Sequence, residues 1–199
     1  FSAFLMLFFA VPLILESDTV LRIWLKNVPE YTATFLRWII ISSFVDSVLA
    51  NSLVTSMFAT GKIKRYQITV TIIGGLVFPL TWVAFAVGMP PYVGYAIYFV
   101  VYSVLLGVRL HLLKGMVKLP TIMYVREVLW KVIPVIIISF LVTSVLIFAM
   151  EAGWARLLSV CVLSVVITSV AEFCIGLSGN ERQFILSKIR SLRVFRGKN

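Results

Sequence analysis

The chain has 199 residues, of which 61% are apolar and 13% charged, and its formal net charge is +10. Its mean hydropathy is +1.05. A soluble domain is nearer half apolar and a quarter charged, so the composition excludes a water-soluble globule and indicates an all-α integral membrane protein. The cationic excess is not a nucleic-acid signature. Lys and Arg lie in short gaps between apolar runs and in the C-terminal tail, which is the positive-inside pattern.

The first apolar run, Phe1–Leu15, covers about 22 Å of helix against a hydrocarbon core of about 30 Å. It starts without Met and lacks the basic n-region and cleavage site of a signal peptide. The expectation is a truncated first span, in a piece of a longer protein whose N-terminal part is missing. Pro12 is expected to bend its end.

From Glu16 to Pro29 the pattern changes. Val20, Leu21, Trp24, Leu25 and Val28 repeat at helical spacing, with Arg22 and Lys26 four apart. This predicts an amphipathic helix over 17–28, ended near Pro29. Either it lies at the membrane surface with Trp24 in the interface, or it is a helical extension docked on the bundle.

Ala33–Thr60 is the second predicted span. It carries Arg37, Asp46 and Asn51 within an apolar run. Nine residues at 100° each put Arg37 and Asp46 on opposite faces of a straight helix. They cannot pair with each other, and each needs its own partner. Ser42, Ser43, Asp46, Ser47 and Ala50 form one small, polar stripe, and Arg37, Asn51 and Thr55 another. Such stripes mark close helix packing in membranes. Intramembrane ionisable groups also line cavities, although Arg37 is near enough to the helix start to snorkel. The run ends in the basic turn Gly61-Lys62-Ile63-Lys64-Arg65.

Arg65–Val87 is the third span, with a kink expected where Gly74-Gly75 precedes Pro79. An uncharged turn, Gly88-Met89-Pro90-Pro91, leads into the fourth span, Tyr92–Leu113. Tyr92 and Tyr95 suit the interfacial aromatic belt; Tyr98 and Tyr102, deeper on the same sector, pack or line a cavity. Arg109 to Lys131 holds five cations and one acid, Glu127, with a break at Lys118–Thr121 and a short helix to Lys131. The lone His111 has no companion ligand and reads as interfacial. Val132–Met150 and Ala155–Leu177 are the fifth and sixth spans, and Ser164, Thr168 and Glu172 make a polar line on the sixth. For Glu172 the expectation is snorkelling or pairing with a tail Arg. Cys161 and Cys174 lie in that one run, about 20 Å apart on a helix and beyond disulfide reach. They read as small core residues, and no metal site or cofactor is indicated.

The tail, 178–199, opens on a capping box, Ser178 with Glu181. It continues as a basic amphipathic helix suited to an anionic leaflet. Alternate gaps hold fourteen Lys and Arg on one side (three in 62–65, five in 109–131, six in the tail) and four on the other. The basic side is therefore assigned to the cytoplasm, with the C-terminus inside and the 16–29 segment outside.

The order of elements, Leu21-x-x-Trp24-Leu25, Ala59-Thr60-Gly61-Lys62-Ile63-Lys64-Arg65-Tyr66-Gln67, and Asn180-Glu181-Arg182-Gln183-Phe184 through Ile189-Arg190 together resemble the C-terminal part of bacterial polysaccharide flippases. These are of the Wzx type, in the multidrug/oligosaccharidyl-lipid/polysaccharide exporter (MOP) superfamily. The resemblance covers nearly the whole chain through loose motifs, none of them catalytic. It implies a two-lobed transporter of about fourteen spans, of which this chain is the last six. It also implies translocation of undecaprenyl-diphosphate-linked oligosaccharide across the bacterial inner membrane for O-antigen or capsule synthesis. The partners implied are the bilayer, the lipid-linked oligosaccharide and the missing N-terminal lobe, with no nucleic acid. Within that reading Arg37 serves as a phosphate contact, Asn51, Ser47 and Tyr98 as sugar contacts, and Asp46 as a cation or proton site. The family's arginines on earlier helices fall outside this chain, so none is carried over. A multidrug and toxin extrusion antiporter shares the architecture and favours acidic cavity residues, which Asp46 fits. A membrane enzyme needs a base or nucleophile in a polar loop, and here the one His is isolated and the outer loops are very short.

Overall fold

Backbone N–H and C=O groups have no water to bind in hydrocarbon, so an apolar chain that crosses it satisfies them within helices. The computed structural model describes residues 2–25, 27–49, 51–58, 63–117, 126, 129–177 and 182–183, and is all-helical among them. The elements are α1 (Ser2–Leu15), α2 (Ser17–Trp24), α3 (Thr32–Ser43), a π-helical turn (Phe44–Leu49), α4 (Asn51–Phe58), α5 (Ile63–Gly75) and α6 (Val77–Ala86). They continue with α7 (Val93–Val117), α8 (Trp130–Ala149), α9 (Trp154–Ala171) and a second π-helical turn (Glu172–Gly176).

Four stretches are long and apolar enough to cross a membrane: Ile63–Ala86, Val93–Gly115, Trp130–Ala149 and Trp154–Gly176. A fifth candidate is the pair α1 and α2, bent by 77°. The outer surface suits lipid. Phe148 and Phe78 are 90% and 81% exposed, and a row of such side chains would be an aggregation surface in water. The second predicted span is helical at every described position from 32 to 58, but it is not one straight rod. The π-helical turn at 44–49 divides it.

The kinks follow the sequence. Pro79 has no N–H to give the Gly75 carbonyl, and the chain breaks at Leu76 between α5 and α6. α2 stops at Trp24, short of the predicted 28, because Leu25 turns extended at φ −110° and ψ 124°. Leu21 is buried while Trp24 is 80% exposed. The segment thus docks through one face and offers Trp24 to its surroundings.

α1 packs on both α8 and α9, which pack on each other, and on α3; α3 packs on α7, and α7 on α5 and α6. α8 and α9 meet through buried Ser139, Thr143, Ser164 and Thr168, and Thr168 Oγ1 donates to Ser139 Oγ at 3.0 Å. Small polar residues let membrane helices approach closely, and this accounts for Ser164 and Thr168 in the predicted polar line. α3 and α7 carry three aromatic rungs: Tyr31 on Tyr92 (5.6 Å), Phe35 on Tyr95 (5.5 Å) and Trp38 on Phe99 (5.8 Å). The numbers rise together, so α3 and α7 run parallel. Tyr31 starts the ladder from a left-handed conformation, φ 66°, which is uncommon for a residue with a Cβ.

Several expectations fall outside the described residues. These are the start of the basic turn (59–62), the Lys118–Thr121 break with most of the short helix after it, the capping box, and the tail apart from 182–183. Arg182 does not seek Glu172. It donates to the Cys174 carbonyl at 2.9 Å and lies over the Phe173 ring, capping carbonyls at the end of the second π-helical turn. Both cysteines are free, but Cys174 is exposed rather than a core residue.

Candidate functional site

Asp46 lies in the π-helical turn between α3 and α4. Wide turns of this kind add a residue to the helix and re-aim its side chains, often at functional sites. Here the acid is directed at α7. Arg109 Nη1 donates to Asp46 Oδ1 at 3.2 Å, and Tyr98 Oη donates to Oδ2 at 3.3 Å. Tyr98 stacks on Tyr102 with ring centroids 4.1 Å apart. The phenol therefore reaches the carboxylate from a position fixed by the helix that carries it.

The Arg109 side chain is 8% exposed and that of Asp46 30%. Burying a guanidinium this deeply is costly unless an opposite charge stands beside it. Tyr66, on α5, is also buried and interacts electrostatically with both Arg109 and Asp46. Its hydroxyl and the Arg109 Nε make no geometrically sound hydrogen bond to a described residue. The cluster thus draws on the π-helical turn, α5 and α7.

Arg109 corrects the cation count, which assigned it to the inner side although the predicted span 92–113 already included it. α7 runs on to Val117, which puts Arg109 two turns inside the helix. The cationic excess on that side survives its loss. The available clue was complementary: Asp46 is an acid deep in one apolar run and Arg109 a cation inside another. Tyr66 carried no comparable signal, because a Tyr at a basic turn reads as interfacial.

Arg37 does not join this cluster. Its Nη2 pairs with Asp18 Oδ2 at 2.5 Å, and its Nε donates to the Ile14 carbonyl at 3.2 Å. Ile14 sits in the last turn of α1, where the 77° bend interrupts the helical hydrogen bonds, and Ser17 Oγ serves the same carbonyl. Arg37 and Asp46 thus have separate partners, as their opposite faces require. The backbone of Ser47 lies in the π-helical turn and that of Asn51 opens α4; their side chains are outside the described set.

A second polar cluster ties α2 to α9. Arg156 Nε approaches Glu16 Oε1 at 2.7 Å as an ion pair. Nη2 donates to Glu16 Oε2 at 3.0 Å and contacts Thr19 Oγ1 at 3.2 Å. Thr19 Oγ1 donates to the same Glu16 oxygen. Beside this cluster a cavity of about 390 Å³ is lined by Asp18, Thr19, Arg22, Trp154 and Arg156, among others. Between α6 and α7 an apolar groove of about 500 Å³ is walled by Phe78, Trp82, Phe85 and Tyr95 and reaches Tyr98.

In comparisons with known proteins, no family model, no curated protein and no solved structure matches this chain.

Proposed function

We propose that this chain is the C-terminal part of a membrane transporter whose cargo is an undecaprenyl-diphosphate-linked oligosaccharide, flipped across the bacterial inner membrane. The observation that carries the transport reading is the Asp46–Arg109 ion pair, with Tyr98 on the same carboxylate, inside an apolar bundle. Ionisable groups at membrane depth cost several kcal/mol and by default mark a path for polar cargo or ions. The π-helical turn beneath Asp46 adds a local break that a moving helix can use.

The choice of cargo rests on the resemblance carried by Leu21–Leu25, Ala59–Gln67 and Asn180–Arg190. In this reading α1 enters as the first of six spans with α2 at its outer end, and α3 with α4 crosses as the second. The basic gaps and the tail face the cytoplasm. The Tyr98 and Tyr102 rings offer the stacked aromatic surface on which sugars bind, and the lipid chain stays outside in hydrocarbon. The protein moves its cargo without chemical change, and the N-terminal lobe supplies the other wall of the path.

Deleting the full-length gene and analysing lipid-linked glycans tests this. The expected result is loss of the surface polysaccharide with build-up of its glycolipid in the inner leaflet. Unchanged surface polysaccharide, with no such build-up and no other flippase in the strain, would end the cargo assignment.

A cation-coupled antiporter is the second reading. The partly open Asp46 carboxylate favours it, because an acid with one guanidinium contact and one phenol can exchange the guanidinium for a cation. Cation-dependent efflux of lipophilic cations from cells, abolished by Asp46→Asn, would select it over the flippase.

A further inference from the structure

The cavity of about 390 Å³ beside the Glu16–Arg156 pair is walled by Asp18, Thr19 and Arg22 from α2 and by Trp154 and Arg156 from the start of α9. Its volume falls in the usual range for small-ligand sites, about 300–1,000 Å³. Two ion pairs neutralise most of its charge: Glu16 takes Arg156, and Asp18 takes Arg37. One cation is left over. Arg22 makes no ion pair or hydrogen bond among the described residues. α9 begins at the same wall behind Gly153, with no side-chain cap, so the free N–H groups of its first turn add positive potential. Asp18 gives Oδ2 to Arg37, which leaves Oδ1 open on an exposed side chain. The surface below the cavity suits hydrocarbon. Trp154, Leu158 and Val162, four apart on α9, are all exposed. They form one ridge that runs about 12 Å from the cavity, within one leaflet of a core about 30 Å thick. Trp154 and the exposed Trp24 suit the headgroup level at its top.

We propose that this cavity holds one resident phospholipid with an ethanolamine headgroup. Arg22 donates to the phosphate, Asp18 Oδ1 accepts from the ammonium, and an acyl chain lies along the α9 ridge. Cation, acid and apolar ridge thus stand in the order of the lipid's own parts. A guanidinium offers a phosphate two parallel N–H bonds, and basic pockets between membrane helices take lipid headgroups in this way. The headgroup fills the space between α2 and α9. The site shares no residue with the Asp46–Arg109 cluster, so it does not depend on which cargo the protein carries.

The test uses the full-length protein, extracted in mild detergent, washed free of loosely held lipid and weighed by native mass spectrometry. One phospholipid per protein should remain, and phosphatidylethanolamine should rebind after harsher delipidation. Arg22→Gln, a change at an exposed side chain, should weaken rebinding by about tenfold, the loss of hydrogen bonding to a charged group. Arg65→Gln removes the same charge at the exposed start of α5 and should leave rebinding unchanged. No retained or rebound lipid, no loss in Arg22→Gln, or equal losses in both variants overturns the proposal.

Headgroup and tail are tested separately. Phosphatidylcholine, whose ammonium carries no N–H, should bind the unaltered protein more weakly than phosphatidylethanolamine, and Asp18→Asn should erase that difference. Equal affinity for the two lipids overturns the ethanolamine assignment. Should Asp18→Asn not fold once Arg37 loses its partner, the two-lipid comparison on the unaltered protein still decides. Soluble glycerophosphoethanolamine should compete poorly, because it lacks the chain that the α9 ridge receives. If it binds as tightly as the lipid, the ligand is a free phosphoester and the lipid assignment is overturned.

Discussion

Arg156, at the start of α9, meets the fully buried carboxylate of Glu16 at 2.7 Å across 140 residues of sequence. Together with Thr19 this pair anchors the start of α2 to α9, while Arg37 on α3 holds Asp18, two residues after Glu16. α2 therefore ties α9 to α3 beside the contacts both make with α1.

Removing one member of the Glu16–Arg156 pair should destabilise the protein by about 3 kcal/mol, because the other charge is left buried and alone. Glu16→Gln and Arg156→Met should each lower the thermal midpoint in nanodiscs. The double variant Glu16→Leu/Arg156→Met should recover much of the loss, since apolar replacement of a buried pair is often neutral. Additive losses would mean that the two residues act independently.

Gly176 closes the second π-helical turn against the Phe4 ring. A Cβ at that position would come within 2.6 Å of the ring's far carbon. Phe4 is itself buried, so the ring has little room to retreat. Gly176→Ala should cost about 1–3 kcal/mol, the usual range for overpacking. Phe4→Leu in the same chain should restore part of it. A midpoint unchanged by Gly176→Ala would show that α1 slides freely past the end of α9.

The two ends of the bundle can be distinguished by labelling. With Cys161 and Cys174 replaced by Ser, a single cysteine at Pro90 should react with an impermeant maleimide added to intact cells. One at Lys64 should react only after permeabilisation. Labelling of position 64 from outside would invert the assignment made from the cation count.

Local chemistry was easy to read along the chain. The break at Leu76 follows from Gly74-Gly75 and Pro79, and the polar line of Ser164 and Thr168 from their spacing of four, though not that it packs on α8. Both are determined within one helix turn. Arg109 was misread because helix ends in apolar sequence are weakly marked. Arg109 already stood one turn inside the predicted span 92–113; four more residues of α7 put it two turns inside, where it is buried. Cys174 was misjudged for a related reason: composition places a residue in a span but not on its lipid or protein side.

The sequence alone determined that the chain is helical and built for a membrane, where the runs break, and that Arg37 and Asp46 could not share a partner. Periodicity and solvation act residue by residue, so these properties need no knowledge of the neighbours. Only the tertiary structure decided which partner each charge found: Asp18 for Arg37, Arg109 for Asp46, and Arg156 for Glu16. Ion pairing depends on the rotation and depth of helices far apart in sequence. A single π-helical turn at Phe44–Leu49 shifts that rotation without any motif to announce it.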